Sequence, residues 1–282
     1  MICQGISVHL TKYLRSLGLR GVREVSIKFT PLSVDCARYV IGVPADSLSR
    51  KEWHSILRYF NPPYSMASEM DALIGESTTL LLGQDGDWEN GNRRIYIENW
   101  NAVYQFMEST RGSLSGARND LQFKTINVMH GWKWSRSCTS KPRRSDYYVF
   151  PLLQMDQSLE IFKDQVCMEL VDRRFELSFA NLWSILRQRS SLDRAVQLWQ
   201  TVDISIDGSD TSRRSFDLNL IDFNLESQFL GLFMSSLHSF CPESMDTIKM
   251  FMPELCDGQI SHISAGRTYE DIPFISFYFL IS

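Results

Sequence analysis

Five times along this 282-residue chain, two short stretches of period-two alternation stand side by side, and longer segments with helical spacing lie between the pairs. The paired stretches are Glu24–Phe29 with Ala37–Val43, Thr78–Gly83 with Arg93–Glu98, Asn127–Trp134 with Asp146–Leu152, Val202–Asp207 with Ser215–Leu220, and Ile260–Gly266 with Phe274–Leu280. Turn residues sit between several of them: Pro31 and Asp35, Asp85-Gly86 and Asn90-Gly91, Gly208 and Asp210. Helical spacing is clearest in Val8–Leu17, Lys51–Phe60, Gln157–Leu170, Phe175–Leu186 and Ser227–Phe240. Antiparallel hairpins wound in sequence close into a barrel, and helices outside it leave the lumen free for a ligand. No stretch reads as an interdomain linker, so one domain over residues 1–282 is expected.

A strand divides its side chains between two faces. In the first hairpin Val25, Ile27 and Phe29 form the helix-facing set, which leaves Glu24, Ser26 and Lys28 inward; Arg38 and Val40 oppose Tyr39 and Ile41. By the same alternation Arg94, Tyr96 and Glu98 face inward, as do Ser205 and Asp207, then Ser215, Asp217 and Asn219, then Ser276 and Tyr278. The third pair alternates less cleanly, and Tyr148 is its expected inward residue. The same pattern also fits polar residues facing water on a half-exposed sheet. The intervening helices favour the barrel, because they need an apolar face to cover. An inward set of cations beside tyrosines suits an anion with an apolar tail, such as an allylic diphosphate. Arg38, Arg94 and Lys28 would neutralise the phosphates. Tyr96 and Tyr278 would face the allylic cation formed on ionisation.

Composition narrows the alternatives. A net charge of −4 with 22% charged residues argues against a general nucleic-acid binder. No apolar run approaches the ~20 residues of a membrane span, and the start of the chain lacks the apolar core of a signal peptide, so a cytoplasmic protein is expected. Six scattered cysteines and five scattered histidines have no metal-ligand spacing. Asp85 and Asp87 are read as turn formers, and no DDxxD-type pair is present.

The run Glu24-Val-Ser-Ile-Lys28, followed by Cys36-Ala-Arg38-Tyr-Val, resembles the opening hairpin of the cyanobactin prenyltransferases, enzymes of the ABBA or PT-barrel fold. Gly83-Gln-Asp85 leading to Arg94-Ile-Tyr96-Ile, Asp203-Ile-Ser205-Ile-Asp-Gly208 leading to Asp217-Leu-Asn219-Leu, and Ile275-Ser-Phe-Tyr278 extend the similarity in order along most of the chain. The resemblance implies an α+β fold: about ten antiparallel strands closed into a barrel ringed by outer α-helices. It also implies transfer of a dimethylallyl or geranyl group from an allylic diphosphate to a side chain of a macrocyclic ribosomal peptide.

On that resemblance Arg38 and Arg94 hold the donor diphosphate, with Lys28, Tyr96, Asn219 and Tyr278 around it. Tyr96 stands where the family carries a histidine, and Asp217 where it carries a tyrosine. Glu24 is the catalytic carboxylate that orients the nucleophile and takes its proton. Tyr148, Ser205 and Asp217 border the prenyl chain and acceptor; a residue as small as Ser205 leaves room for geranyl. Magnesium would ride on the diphosphate without a protein ligand of its own. Two carboxylates on the wall, Glu24 and Asp217, suit a basic acceptor, whereas an apolar lumen suits Trp or Tyr. A monomer is expected. The alternatives are an ABBA enzyme acting on a small phenol or indole, and a non-catalytic barrel that binds an apolar ligand.

Overall fold

The structure, a computed structural model, describes residues 2–86, 91–110, 124–135, 142–153, 155–164, 173–189, 197–204, 210–255, 258–268 and 270–281. All five expected hairpins form, although the first strand of the fourth runs Gln197–Ile204 in place of the expected Val202–Asp207, whose residues 205–207 lie outside the described residues. They comprise β1 (Val22–Thr30) with β2 (Ser33–Pro44), β3 (Thr79–Asp85) with β4 (Asn92–Glu98), and β5 (Ile126–Ser135) with β6 (Arg143–Val149). β7 (Gln197–Ile204) pairs with β8 (Asp210–Asn219), a two-residue β9 (Leu225–Glu226) follows, and β10 (Gln259–Arg267) pairs with β11 (Pro273–Ile281). Every neighbour is antiparallel. The order runs β11-β1-β2-β3-β4-β5-β6-β7-β8-β10, and the β10–β11 pairing closes the ring, so ten strands make a barrel with β9 appended to β10.

The barrel's outer face is apolar for the reason its alternation implied. Val25, Ile27, Phe29, Leu80, Leu82 and Ile95 are buried in one core cluster with helix residues. Leu10 and Leu14 come from α1 (Ile2–Ser16), and Trp53, Ile56 and Phe60 from α2 (Arg50–Phe60). Beyond α3 (Tyr64–Leu73), α4 (Asn101–Thr110) and α5 (Met155–Asp164), the helix α6 (Glu176–Arg189) adds Phe179, Leu182 and Leu186. Burying a side chain of this size stabilises by about 1.5–3 kcal/mol. This cluster therefore fixes strand register as well as helix position.

Helix α2 begins with a capping box, Ser49 with Glu52, and ends at Asn61 in the left-handed region (φ 48°). The buried Arg93 donates from Nη1 to the carbonyls of Tyr59 and Phe60, at 2.8 and 2.9 Å, which ties the helix end to β4. The segment expected as one helix over Ser227–Phe240 is instead a 3-10 turn, Ser227–Phe233, leading into α7 (Met234–Phe240). Gly231 in its middle lowers the helical propensity there. Helix α8 (Ser244–Leu255) precedes β10. No helix among the described residues is long and apolar enough to cross a membrane.

The winding gives the barrel two unlike ends. All five hairpin connections lie at one end, and the connections between hairpins, most of them helical, lie at the other.

Candidate active site

Two connected compartments fill the lumen and share Arg38, Arg94, Tyr96, Tyr147, Asp217 and Tyr278. The compartment at the hairpin end, about 260 Å³, is also lined by Lys28, Lys133 and Arg143. The compartment at the helical end, about 280 Å³, is lined by Glu24, Glu98, Trp100, Trp199 and His262 with Leu81, Met129 and other apolar side chains. The extra cations Lys28, Lys133 and Arg143 therefore gather at one end, beside Asp35, Asp203 and Glu270, while the apolar walls gather at the other.

The hairpin end is organised around Asp85. Its Oδ2 accepts from Arg94 through both Nε (3.1 Å) and Nη2, and from Lys133 Nζ at 2.8 Å, while Arg38 Nε lies 3.9 Å from Oδ1. Burial alone would raise the Asp85 carboxyl, yet Arg94, Lys133 and Arg38 hold it well below the usual carboxylate range. Lys133 pays the reverse penalty: burial and the neighbouring Arg94 outweigh Asp85 and bring it down to about 8. Three cations thus share one carboxylate. Arg38 donates weakly to Ser276 Oγ at 3.5 Å and sits 5.6 Å over the Tyr278 ring, and its Nε has no hydrogen-bond partner among the described residues. Lys28 lies 4.3 Å over the Phe274 ring at the same end.

The tyrosines stand between the two ends. Tyr96 accepts from Arg94 Nη1 at 3.1 Å and meets Tyr147 edge-on at 5.9 Å. Gly131 on β5 lies opposite Tyr96 and makes room for both rings; a Cβ there would come within 2.5 Å of Tyr96 and 3.1 Å of Tyr147. Tyr147 and Tyr278 are kept neutral, since burial raises both phenols.

At the helical end Glu24 accepts from Ser261 Oγ at 2.8 Å, and its Oε2 lies 3.9 Å from His262 Nε2. The other nitrogen, His262 Nδ1, is 3.0 Å from Asp217 Oδ1. Burial would lower the imidazolium, but Asp217, Glu24 and Glu98 together push it up to about 9. Burial raises the Glu24 carboxyl, which His262 and Ser261 offset only in part. The geometry comes from a β-bulge. Ile260 pairs with Phe279 and His262 with Tyr278, so the extra residue Ser261 turns His262 into the lumen while Ile260 keeps its place in the outer core.

Most of the expected site residues come together. Glu24, Lys28, Arg38, Arg94, Tyr96, Asp217 and Tyr278 all line the lumen. Three expectations are corrected or left aside. Tyr147, rather than Tyr148, faces the lumen. The bulge that pairs Asn127 with Tyr148 but Met129 with Tyr147 upsets the simple alternation of this hairpin. Asn219 lies in the helical-end compartment rather than among the cations of the hairpin end, and its Oδ1 accepts from the Ile221 backbone N–H at 3.0 Å. Ser205, with its expected inward neighbour Asp207, lies outside the described residues. Asp85 is expected in the hairpin turn. It is instead the last residue of β3 and points inward, in step with Leu81. His262, Lys133 and Tyr147 were not anticipated.

Among the described residues no group of three or more acidic, histidine or cysteine side chains is arranged to hold a metal ion. Asp85, the carboxylate at the centre of the cationic cluster, is fully engaged by its cations. Asp85 is therefore not free to ligate magnesium, and the cations themselves supply positive charge for a diphosphate.

No protein-family model matches the sequence, and no curated protein matches it. Among solved structures, the chain is similar to AnaPT from Neosartorya fischeri, at 12% identity and a TM-score of 0.45 over 92% of this chain and 77% of that one. It is also similar to the NotF prenyltransferase, at 14% identity and a TM-score of 0.41 over 92% and 80%. The complex of NotF with brevianamide F and DMSPP gives 14% identity and 0.43 over 92% and 79%.

Proposed function

We propose that this chain is a prenyltransferase, moving a prenyl group from an allylic diphosphate to an acceptor held beside Glu24. The supporting observation is the polarity of the lumen: Arg38, Arg94 and Lys133 converge at one end, Glu24 lies at the other, and Tyr96, Tyr147 and Tyr278 stand between. A diphosphate would take over the cations that now share Asp85, by charge-assisted hydrogen bonds. As the allylic C–O bond breaks, the tyrosine faces stabilise the carbocation and keep water from it. Glu24 then accepts the acceptor's proton, a contribution of roughly 10²–10⁴-fold.

The acceptor proposed is a small nitrogenous or phenolic metabolite, because the chamber at the Glu24 end, about 280 Å³, matches one ring system or one side chain. Attachment to a macrocyclic ribosomal peptide rests on the sequence resemblance alone.

The test is to incubate the protein with dimethylallyl or geranyl diphosphate and panels of small indoles, phenols and cyclic peptides, with and without magnesium, and to weigh the products. A C5 or C10 mass gain that disappears in Arg38→Ala, and slows by roughly 10²–10⁴-fold in Glu24→Ala, is expected. Calorimetry showing that the protein binds neither diphosphate would overturn the proposal.

A further inference from the structure

Resting on that reading, we propose that the chamber at the Glu24 end recognises a protonated nitrogen base, a guanidinium or an imidazolium, in preference to a neutral indole or phenol. Four carboxylates line this chamber, Glu24, Asp85, Glu98 and Asp217, with Arg38, Arg94 and His262 as its cations; away from the Asp85 cluster, three carboxylates face one imidazolium. Asp217 is bonded to His262. Glu98 accepts from the Trp100 indole and the Thr79 hydroxyl, and Glu24 from Ser261. None of the hydrogen bonds to Glu24 or Glu98 supplies a cation, and His262 stands 3.9 Å from Glu24.

Of the other charged groups that face the chamber, Arg38 and Arg94 come from the hairpin end and Asp85 is held between them. A bound diphosphate draws those two arginines to itself. The chamber is then left with a surplus of buried negative charge, which is costly until a cation enters. Burial raises both the Glu24 and Glu98 carboxyls, and a cation placed between them would favour their charged forms. The walls suit the same occupant. Trp100 and Trp199 meet edge-on at 5.6 Å, and Trp199 meets His262 at 6.1 Å, so indole faces as well as carboxylates are available to a cation.

The chemistry balances. The allylic C–O bond breaks and pyrophosphate leaves; the C–N bond forms as the acceptor nitrogen passes one proton to Glu24. The product keeps the single positive charge that the chamber selected.

Binding separates this inference from the transferase reading, because it needs no turnover. Calorimetry with the amides of N-acetylarginine, N-acetylhistidine and N-acetyltryptophan is run on protein saturated with a non-reactive thiodiphosphate donor analogue. The expected result is that a cationic probe binds about tenfold more tightly than the tryptophan probe, a preference of about 1.4 kcal/mol. Glu98→Gln is expected to erase most of that preference while the donor analogue still binds, which also shows that the variant is folded. Should Glu98→Gln fail to bind the donor analogue, Asp217→Asn takes its place with the same expectation. Equal or tighter binding of the tryptophan probe, or a preference unchanged in the variant that binds donor, overturns the inference. Loss of donor binding by the parent protein would instead count against the transferase reading.

Discussion

Asp85 shows how a single side chain can hold a site in readiness. It keeps Arg38, Arg94 and Lys133 close together before any ligand arrives, and in Asp85 and the two arginines only 10–12% of the side chain is exposed. Removing one partner from a buried charge cluster leaves the others uncompensated. Asp85→Asn is therefore expected to lower the unfolding free energy by on the order of 3 kcal/mol. In thermal melts, pyrophosphate should recover more of the lost Tm in this variant than it adds to the parent. Equal shifts would mean that the carboxylate and the diphosphate do not share their cations. His262 sets the opposite limb of the pH profile. Its pKa is raised on folding to about 9, so its stabilisation is complete below the unfolded value of about 6.5 and is lost as pH rises through 9. Urea unfolding at pH 6.5 and pH 9.5 should show that loss, and His262→Gln should flatten it.

These two residues also mark where reading the sequence stops. Arg94 was legible because β4 alternates cleanly. Glu24 and Tyr278 were legible because polar and apolar residues alternate locally around them, and Arg38 because it pairs with Ser26 beside the β1–β2 register shift without changing face. Asp85 obeys the same parity but stands next to Gly86, and turn chemistry masked its place in the strand. His262 could not be reached by parity at all. The bulge at Ser261 resets the alternation, and the apolar residues Ile260 and Ile263 on either side then fit no period of two. The shift between Asn127 and Met129 likewise hid Tyr147 behind Tyr148.

At the scale of elements, β5 depends on a missing side chain. Gly131 faces Tyr96 across the β4–β5 pairing, with Tyr147 on its other side. The tyrosine wall exists because nothing projects from this position. Gly131→Ala should force both rings aside, at about 1–3 kcal/mol of overpacking. Donor affinity, measured by calorimetry, should fall even at temperatures where the variant remains folded. Unchanged affinity would show that the tyrosine pair does not shape the donor site. The outer helices were easier to foresee than their ends. Apolar spacing located α2 and α6 because it reports the face that meets the barrel, whereas the 3-10 start before α7 depends on Gly231, to which that spacing is blind.

For the whole molecule, the outer core and the lumen meet at β11. Phe277 is fully buried on its outer face, in edge contact with Phe29 and Phe233, while Tyr278 beside it faces the lumen. Phe277→Ala should cost about 3–5 kcal/mol. Because β11 both closes the barrel and carries a lumen tyrosine, diphosphate binding and global stability should decline together as temperature rises. Calorimetry and circular dichroism on the same samples would reveal any separation between them.

The register that pairs Arg23 with Ile281 also constrains the order in which the molecule assembles. Each hairpin joins strands near in sequence and can form early, but the seam between β1 and β11 closes a loop spanning nearly the whole chain. Until β11 has been synthesised, β1 keeps a bare edge of unpaired backbone groups. A nascent chain paused before that point is an open, twisted sheet whose lumen residues face water and whose edge can recruit another copy. The final strand added to the ring is thus also the one that ends the protein's exposure to aggregation.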